Sequence, residues 1–102
     1  MRIKRGITYP YEYALKRSDG TAVDLTNATS VKMRMIEDGA SEYTVDGACS
    51  IVEPKTAGKV QYAWSATETG TPGFYWLSFL ITYTNSTIEE VPSNGFDYIL
   101  IL

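Results

Sequence analysis

The segment that ends at Tyr83 constrains the fold more than any other part of the chain. It carries a large apolar residue at every second position, a period that is typical of a β-strand and not of a helix. Such a strand has one face against a core and the other face turned outward. The alternating residues are Tyr75, Leu77, Phe79, Ile81 and Tyr83.

Shorter segments of the same kind recur along the chain with turn residues between them. Val31, Met33 and Met35 alternate with basic residues, and Asp46-Gly47 has the composition of a bend. The one helix candidate, 66–70, is a single turn at most. The predicted strands are 7–15, 31–35, 48–53, 60–64, 74–83, 87–91 and 96–102. Seven or eight short strands predict an all-β sandwich or barrel, and residues 1–102 suit one domain.

The composition argues against catalysis. The chain has no histidine and one cysteine, Cys49, so the usual general base and the familiar zinc ligand sets are missing. The carboxylate pairs 37–38 and 89–90 are interpreted as solvated charges of turns and edges, because adjacent side chains on a strand point to opposite faces and do not converge on one site. The spacing is compatible with a calcium site that uses Asp19, Asp24 and Asp46, but no regular ligand loop is visible. We predict a protein that is not an enzyme and binds no cofactor or metal.

Charge and hydropathy bear on the other partner classes. The net charge is −3 and the basic residues cluster only at Arg2, Lys4 and Arg5, so we expect no nucleic-acid binding. The longest apolar-rich stretch, 74–83, is too short to cross a membrane as a helix. Neither a secretory signal nor an internal disulfide is predicted, which fits synthesis in a reducing cytoplasm. Without such a signal, the glycosylation-like pattern at Asn85 is interpreted as turn chemistry.

Several segments occur in an order and spacing that carry a family resemblance. They are 24–29, 31–35, 58–64, 69–70, 73–83 and 89–92. Together they resemble the immunoglobulin-like domain at the N-terminus of phage upper-baseplate (BppU-type) proteins, from about Ile7 to Leu102. The resemblance implies an immunoglobulin-like β-sandwich of about seven to eight antiparallel strands. It also implies a virion protein, made in the cytoplasm of the host bacterium, that docks other virion proteins of the tail or baseplate.

The resemblance carries over no catalytic residue, and the family pattern continues beyond this domain. There a shaft and a receptor-binding region usually follow, whereas this chain stops at Leu102. We therefore expect an adaptor that forms homo-oligomers in the particle, a capsid decoration protein of the phage head, or a fragment of a longer protein. A carbohydrate-binding attachment module is the further alternative, in which Trp76 and tyrosines stack on sugar rings while Trp64 has core-facing parity.

The candidate interface consists of apolar residues at positions that the alternation turns outward, or at a strand edge. The last strand is apolar on both faces, so its alternation does not select one of them. The first strand contains Pro10, which suits an edge that is open to strand addition. Cover by loops or by a neighbouring strand would account equally well for these residues. The candidate interface residues are Phe74, Trp76, Leu80, Ile99, Ile101, Tyr9 and Tyr11.

Overall fold

A computed structural model of the chain describes residues 1–92 and 97–102. These residues form an all-β structure of nine strands in two sheets, with a single 3-10 helix at Lys55–Ala57. The strands are β1 (Arg2–Ile3), β2 (Glu12–Ala14), β3 (Ala28–Glu37), β4 (Tyr43–Ala48), β5 (Ser50–Ile51), β6 (Lys59–Gln61), β7 (Gly73–Tyr83), β8 (Ile88–Val91) and β9 (Asp97–Ile101).

The larger sheet has the strand order β1-β9-β7-β3-β4, with β8 alongside the second half of β7. The smaller sheet has the order β2-β6-β5. This arrangement is consistent with a β-sandwich. One expectation was wrong, because β1 and β9 pair in parallel and not antiparallel. Consecutive strands joined by hairpins must be antiparallel, whereas strands from opposite ends of the chain can pair in either direction.

The central strands β3 and β7 confirm the alternation read from the sequence. Val31 pairs with Ile81, Met33 with Phe79 and Met35 with Leu77, so cross-strand partners share the inner face. All of these side chains are buried in one apolar cluster that draws on both sheets. Other members of that cluster are Leu15, Val23, Leu25, Val45, Val60, Tyr62, Trp64, Tyr75, Val91, Ile99 and Ile101.

Three turns share one hydrogen-bonding device. In each, the side-chain Oδ1 of an Asp or Asn accepts hydrogen bonds from the backbone N–H and the hydroxyl of a threonine two residues later. In the turn at Asn85 the two distances are 3.1 Å and 2.6 Å. This geometry agrees with the interpretation of that segment as turn chemistry. The three pairs are Asp19 with Thr21, Asp24 with Thr26, and Asn85 with Thr87.

The first predicted strand is much shorter than expected. Residues 7–15 contribute only β2, which lies at an edge of the smaller sheet. Before β2, the Tyr11 N–H donates to the Tyr9 carbonyl oxygen at 3.0 Å, a tight bend that takes this backbone out of strand pairing. Pro10, inside the bend, has no N–H to donate. The alternation of tyrosines therefore marked an extended chain of which only the part around Tyr13, in β2, joins a sheet.

The bend predicted at Asp46-Gly47 was also wrong, because both residues lie inside β4. The glycine is required by a close approach from a distant residue. A Cβ at Gly47 would lie 2.8 Å from Cε1 of Tyr62, a ring that is 8% exposed. The Tyr62 hydroxyl in turn donates to Glu68 Oε2 at 2.6 Å. Gly47 is thus explained by packing and not by a turn.

The turn that holds Glu68 confirms the single turn expected near residues 66–70. The Ser65 N–H donates to Glu68 Oε1 at 2.9 Å, and the Glu68 N–H donates to Ser65 Oγ at 3.2 Å. This reciprocal pair is a capping box around one turn of chain. It fixes the carboxylate that positions the ring of Tyr62.

Candidate functional site

The outer face of the larger sheet carries a row of apolar side chains that crosses four strands. Tyr98 of β9 pairs with Trp76 of β7, which pairs with Ile36 of β3, which pairs with Tyr43 of β4. Directly opposed residues of neighbouring strands share a face, so these four side chains form one line. We call this line, together with Phe74, the aromatic face.

The large side chains of the aromatic face are substantially exposed. Tyr43 is 49% exposed, Tyr98 45%, Phe74 37% and Trp76 36%. The expectation that Phe74 and Trp76 turn outward is thereby confirmed, and Ile36 is half-buried beside them. Contiguous exposed apolar area of this kind is unusual on a monomer and marks interaction surfaces.

The rings of the aromatic face pack against one another. Phe74 and Tyr98 are stacked, with centroids 5.5 Å apart and planes 6° from parallel. Trp76 meets Phe74 edge to face, with centroids 5.0 Å apart and planes at 78°. The Trp76 Nε1–H donates to Asp38 Oδ1 at 3.1 Å. The cluster therefore loses little side-chain freedom when a partner covers it.

Charged residues lie along one side of this row. Asp46 Oδ1 is 3.3 Å from Lys32 Nζ and 3.4 Å from Arg34 Nε. The Arg34 guanidinium also lies 5.3 Å from the centroid of the Tyr43 ring, which fits a cation–π contact. Such exposed ion pairs stabilise the fold by only about 0–1 kcal/mol each. Together Lys32, Arg34 and Asp46 leave one net positive charge on this side of the row, while Asp38 lies on the other side.

Two of the predicted interface residues lie in the core, and their assignment to a surface was wrong. Ile99 is 0% exposed and Ile101 is 1% exposed. Ile99 pairs with Tyr75, which faces the core, so the same parity takes Ile99 and Ile101 inward. The outward residues of β9 are the exposed Tyr98 and the half-buried Leu100. The sequence could not select between these faces because both are apolar.

The remaining predicted interface residues lie at different places. Leu80 is half-buried and pairs with Lys32 and Glu90, farther along β7 from the rings. Tyr9 is 61% exposed and packs at a tilt on the half-buried Tyr11, with centroids 4.9 Å apart. Both tyrosines precede β2 and lie outside any strand, so they do not provide a regular edge for strand addition.

The aspartates considered for calcium are held in separate local contacts. Hydrogen bonds from Thr21 and Thr26 lower the pKa of Asp19 and Asp24, which keeps both carboxylates charged within their own turns. Asp46 forms ion pairs with Lys32 and Arg34. Within residues 1–92 and 97–102, no three His, Cys, Asp or Glu side chains come together as a metal site.

Neither the cysteine thiol nor the surface cleft provides a site for chemistry. Burial raises the pKa of the half-buried Cys49 thiol to about 12, so it stays protonated at neutral pH. A shallow cleft of about 250 Å³ lies between β2 and the β7–β8–β9 region. It is smaller than the roughly 300–1,000 Å³ usual for small-molecule sites. Its lining residues are Ala14, Leu15, Lys16, Phe79, Val91, Pro92 and Asp97.

Two polar atoms are buried in the core near Cys49. Tyr13 Oη and Trp64 Nε1 are, among the described residues, buried side-chain atoms without a well-aligned hydrogen bond. Burial raises the pKa of Tyr13 to about 12, partly offset by the neighbouring Trp64. Trp64 is 4% exposed, as its core-facing parity predicted, so it cannot stack on a sugar from solvent.

No family model, no curated protein and no solved structure matches this chain. In the part of the chain that the structure describes, no helix combines the length and apolar character needed to cross a membrane. Evidence on function therefore comes from the chain's own residues, and among the described residues the aromatic face is the largest cluster of exposed rings.

Proposed function

We propose that this chain is a non-enzymatic docking module, an immunoglobulin-like sandwich that serves as a structural adaptor in a phage virion. The aromatic face is the observation that carries the docking role. The likeness of several segments to the upper-baseplate domain family is the support for a place in the tail or baseplate. Decoration of the phage head is the alternative position, and the aromatic face supports docking at either one.

The aromatic face is suited to binding protein because its rings are both exposed and mutually ordered. Complete burial of one large apolar side chain stabilises a complex by about 1.5–3 kcal/mol relative to its exposed state. Trp76, Phe74 and Tyr98 retain between 36% and 45% of their exposure, so covering all three is worth roughly 2–3 kcal/mol. That is the scale of a small interface hot spot, where aromatic anchors dominate and surrounding contacts exclude water.

A sandwich of two sheets, the coarser part of this proposal, is supported by the way the chain moves between sheets. β4 is the last strand of the larger sheet, and β5 in the smaller sheet begins two residues after β4 ends. A strand that changes sheets in this way is common at the edges of sandwiches. The docking proposal itself needs only the exposed rings on the outer face of the larger sheet.

Carbohydrate binding is the second candidate, favoured by one observation. Trp76 is exposed and lies beside the carboxylate of Asp38, which could accept hydrogen bonds from sugar hydroxyls. The stacking of Phe74 on Tyr98 counts against this function, because each ring covers a face of the other that a sugar would need. Saturable quenching of Trp76 fluorescence by oligosaccharides of the host surface, lost in a Trp76→Phe variant, would favour it over docking.

The proposal is tested in the particle. Purified virions of the phage that encodes the chain should contain it at fixed stoichiometry by quantitative mass spectrometry. A photo-reactive benzoylphenylalanine in place of Trp76 should cross-link to a virion protein when particles are irradiated. The same replacement at the exposed Lys59, on β6 of the smaller sheet, is the control and should cross-link far less.

The identity of the cross-linked protein separates the alternatives. Tail or baseplate proteins would support the adaptor role, and the major capsid protein would support decoration of the head. Absence of the chain from particles, with the chain present in infected cells, would overturn the virion proposal.

A further inference from the structure

We infer that the aromatic face binds a second copy of this chain, in a symmetric dimer whose two-fold axis runs along the row Tyr98–Trp76–Ile36–Tyr43. This inference rests on the proposed docking function and specifies the partner. The most common homodimers are built on a two-fold axis, so one patch must complement itself. The residues around the row meet that condition.

The charges next to the row are complementary under this symmetry. Arg34 lies two positions before Ile36 and Asp38 two positions after it, so both have the same outward parity as Ile36. Asp38 follows the end of the strand, but its N–H donates to the Phe74 carbonyl at 3.0 Å, so it continues the pairing with β7. Its carboxylate is held on the outer face by the Trp76 indole.

A two-fold axis along the row exchanges the positions on its two sides. It therefore places Arg34 of one copy opposite Asp38 of the second copy, and Asp38 of the first opposite Arg34 of the second. Opposite charges that face each other twice favour this register over others.

The outer face is also large enough for a dimer. The path of the larger sheet has five strands, and β3 and β7 are 10 and 11 residues long. The other strands of the path are shorter, because β1, β9 and β4 have 2, 5 and 6 residues. At about 4.8 Å between strands and about 3.4 Å per residue, the five strands present about 550 Å² of sheet face. Two such faces together give about 1,100 Å², just above the roughly 1,000 Å² that a specific interface should bury.

Exchange of the two charges provides the sharpest test. The association of the wild-type chain is measured by sedimentation equilibrium over a concentration series. Arg34→Glu alone and Asp38→Arg alone each set like charges against each other at both contacts, and each should weaken the dimer by about 100-fold or more. An equimolar mixture of the two variants should form a heterodimer, because every contact then pairs opposite charges. Lys59→Glu, a charge reversal at an exposed position of the smaller sheet, is the control and should leave association unchanged.

A second measurement covers the case in which Arg34→Glu unfolds beside Asp46. Ile36 lies on the axis and should face its own counterpart, so in a Cys49→Ser background an Ile36→Cys variant should form a disulfide-linked dimer on mild oxidation. Lys32→Cys, on the same strand but away from the axis, should remain mainly monomeric under the same conditions. Circular dichroism confirms that each variant is folded.

A wild-type chain that stays monomeric at all concentrations would overturn the inference, and so would a dimer that neither charge reversal nor the position of the cysteine affects. These failures are distinguishable from failure of the proposed function. A monomer whose position 76 cross-links to a different virion protein leaves the docking role intact with a heterologous partner. A symmetric dimer of a chain absent from particles leaves the self-association and removes the virion role.

Discussion

Gly58 is the position at which a single methyl group should be most damaging. It follows the 3-10 helix with φ 68° and ψ 27°, in the left-handed region. A Cβ added there would lie 2.6 Å from the Val23 carbonyl oxygen and 3.0 Å from that of Leu15. Both are backbone atoms, and the Leu15 N–H donates to the Gly58 carbonyl at 2.8 Å, so neither segment can move away alone.

The cost of Gly58→Ala has two parts that a control can separate. A side chain in the left-handed region costs about 1–2 kcal/mol, and overpacking against fixed neighbours costs about 1–3 kcal/mol more. The free energy of unfolding should therefore fall by about 2–5 kcal/mol. Gly20 has a similar φ of 86° but no atom within 4 Å of an added Cβ, so Gly20→Ala should carry only the first part.

Urea denaturation followed by circular dichroism gives the free energy of unfolding for both variants and the wild type. We expect Gly58→Ala to lie below Gly20→Ala by about 1–3 kcal/mol. Equal effects of the two substitutions, within about 0.5 kcal/mol, would refute the close approach at Gly58. A Gly58→Ala chain that fails to fold while Gly20→Ala folds normally would agree with the upper end of the range.

Three further predictions concern packing and pH. Gly47→Ala should cost about 1–3 kcal/mol by pressing on Tyr62, and a double-mutant cycle should show that cost disappearing in a Tyr62→Leu background. Hydrogen bonds lower the pKa of Asp24 in the folded chain below its unfolded-state pKa of about 3.9. They therefore stabilise the fold at pH values above about 3.9, and this stabilisation is lost as the pH falls through the folded-state pKa. Asp24→Asn should keep the turn, as Asn85 does, and melting temperatures between about pH 2 and pH 5 should fall less steeply. Burial raises the pKa of Tyr13 to about 12 in the folded chain, above its unfolded-state pKa of about 10. The contribution of Tyr13 to the free energy of unfolding is therefore complete below about pH 10 and is lost as the pH rises towards 12. Urea midpoints measured from pH 8 upward, at about one-unit steps, should fall less in Tyr13→Phe than in the wild type.

The central part of the fold follows from the sequence because its strands alternate between buried apolar positions and outward positions. In β3 and β7 the apolar residues alternate with polar ones or with rings, and each strand has one buried face. A period of two is then sufficient to predict both the strand and its inner face. Val31 and Ile81 are examples in which parity alone predicted burial.

Predictions from the sequence were wrong where a contact with a distant segment determines the local structure. Asp46-Gly47 has turn composition, but its glycine accommodates the ring of Tyr62, which is remote in the chain and adjacent in space. The alternation at Tyr9 and Tyr11 resembles a strand, although none of the strands that the structure describes pairs with that backbone. Local patterns carry no information about which segments meet.

Only part of the aromatic face could be predicted from the sequence, for the same reason. Phe74 and Trp76 follow from the parity of a single strand. Ile36 and Tyr43 were missed, because only the register of β3 with β7 and β4 places them in the same row as Trp76. The outward parity of Ile36, opposite to that of Met35, was the available signal.

The parallel pairing of β1 with β9 determines how the domain would carry a load. The Leu100 N–H donates to the Met1 carbonyl at 2.8 Å, and the Leu102 N–H donates to that of Ile3 at 2.9 Å. Tension applied at the two ends of the chain pulls these parallel strands along their length in opposite directions. The hydrogen bonds between them are then loaded in shear and must fail together, whereas strands peeled from one end break one bond at a time. A module built in this way resists being pulled apart by its ends, and that resistance is governed by the rate of unfolding and not by equilibrium stability.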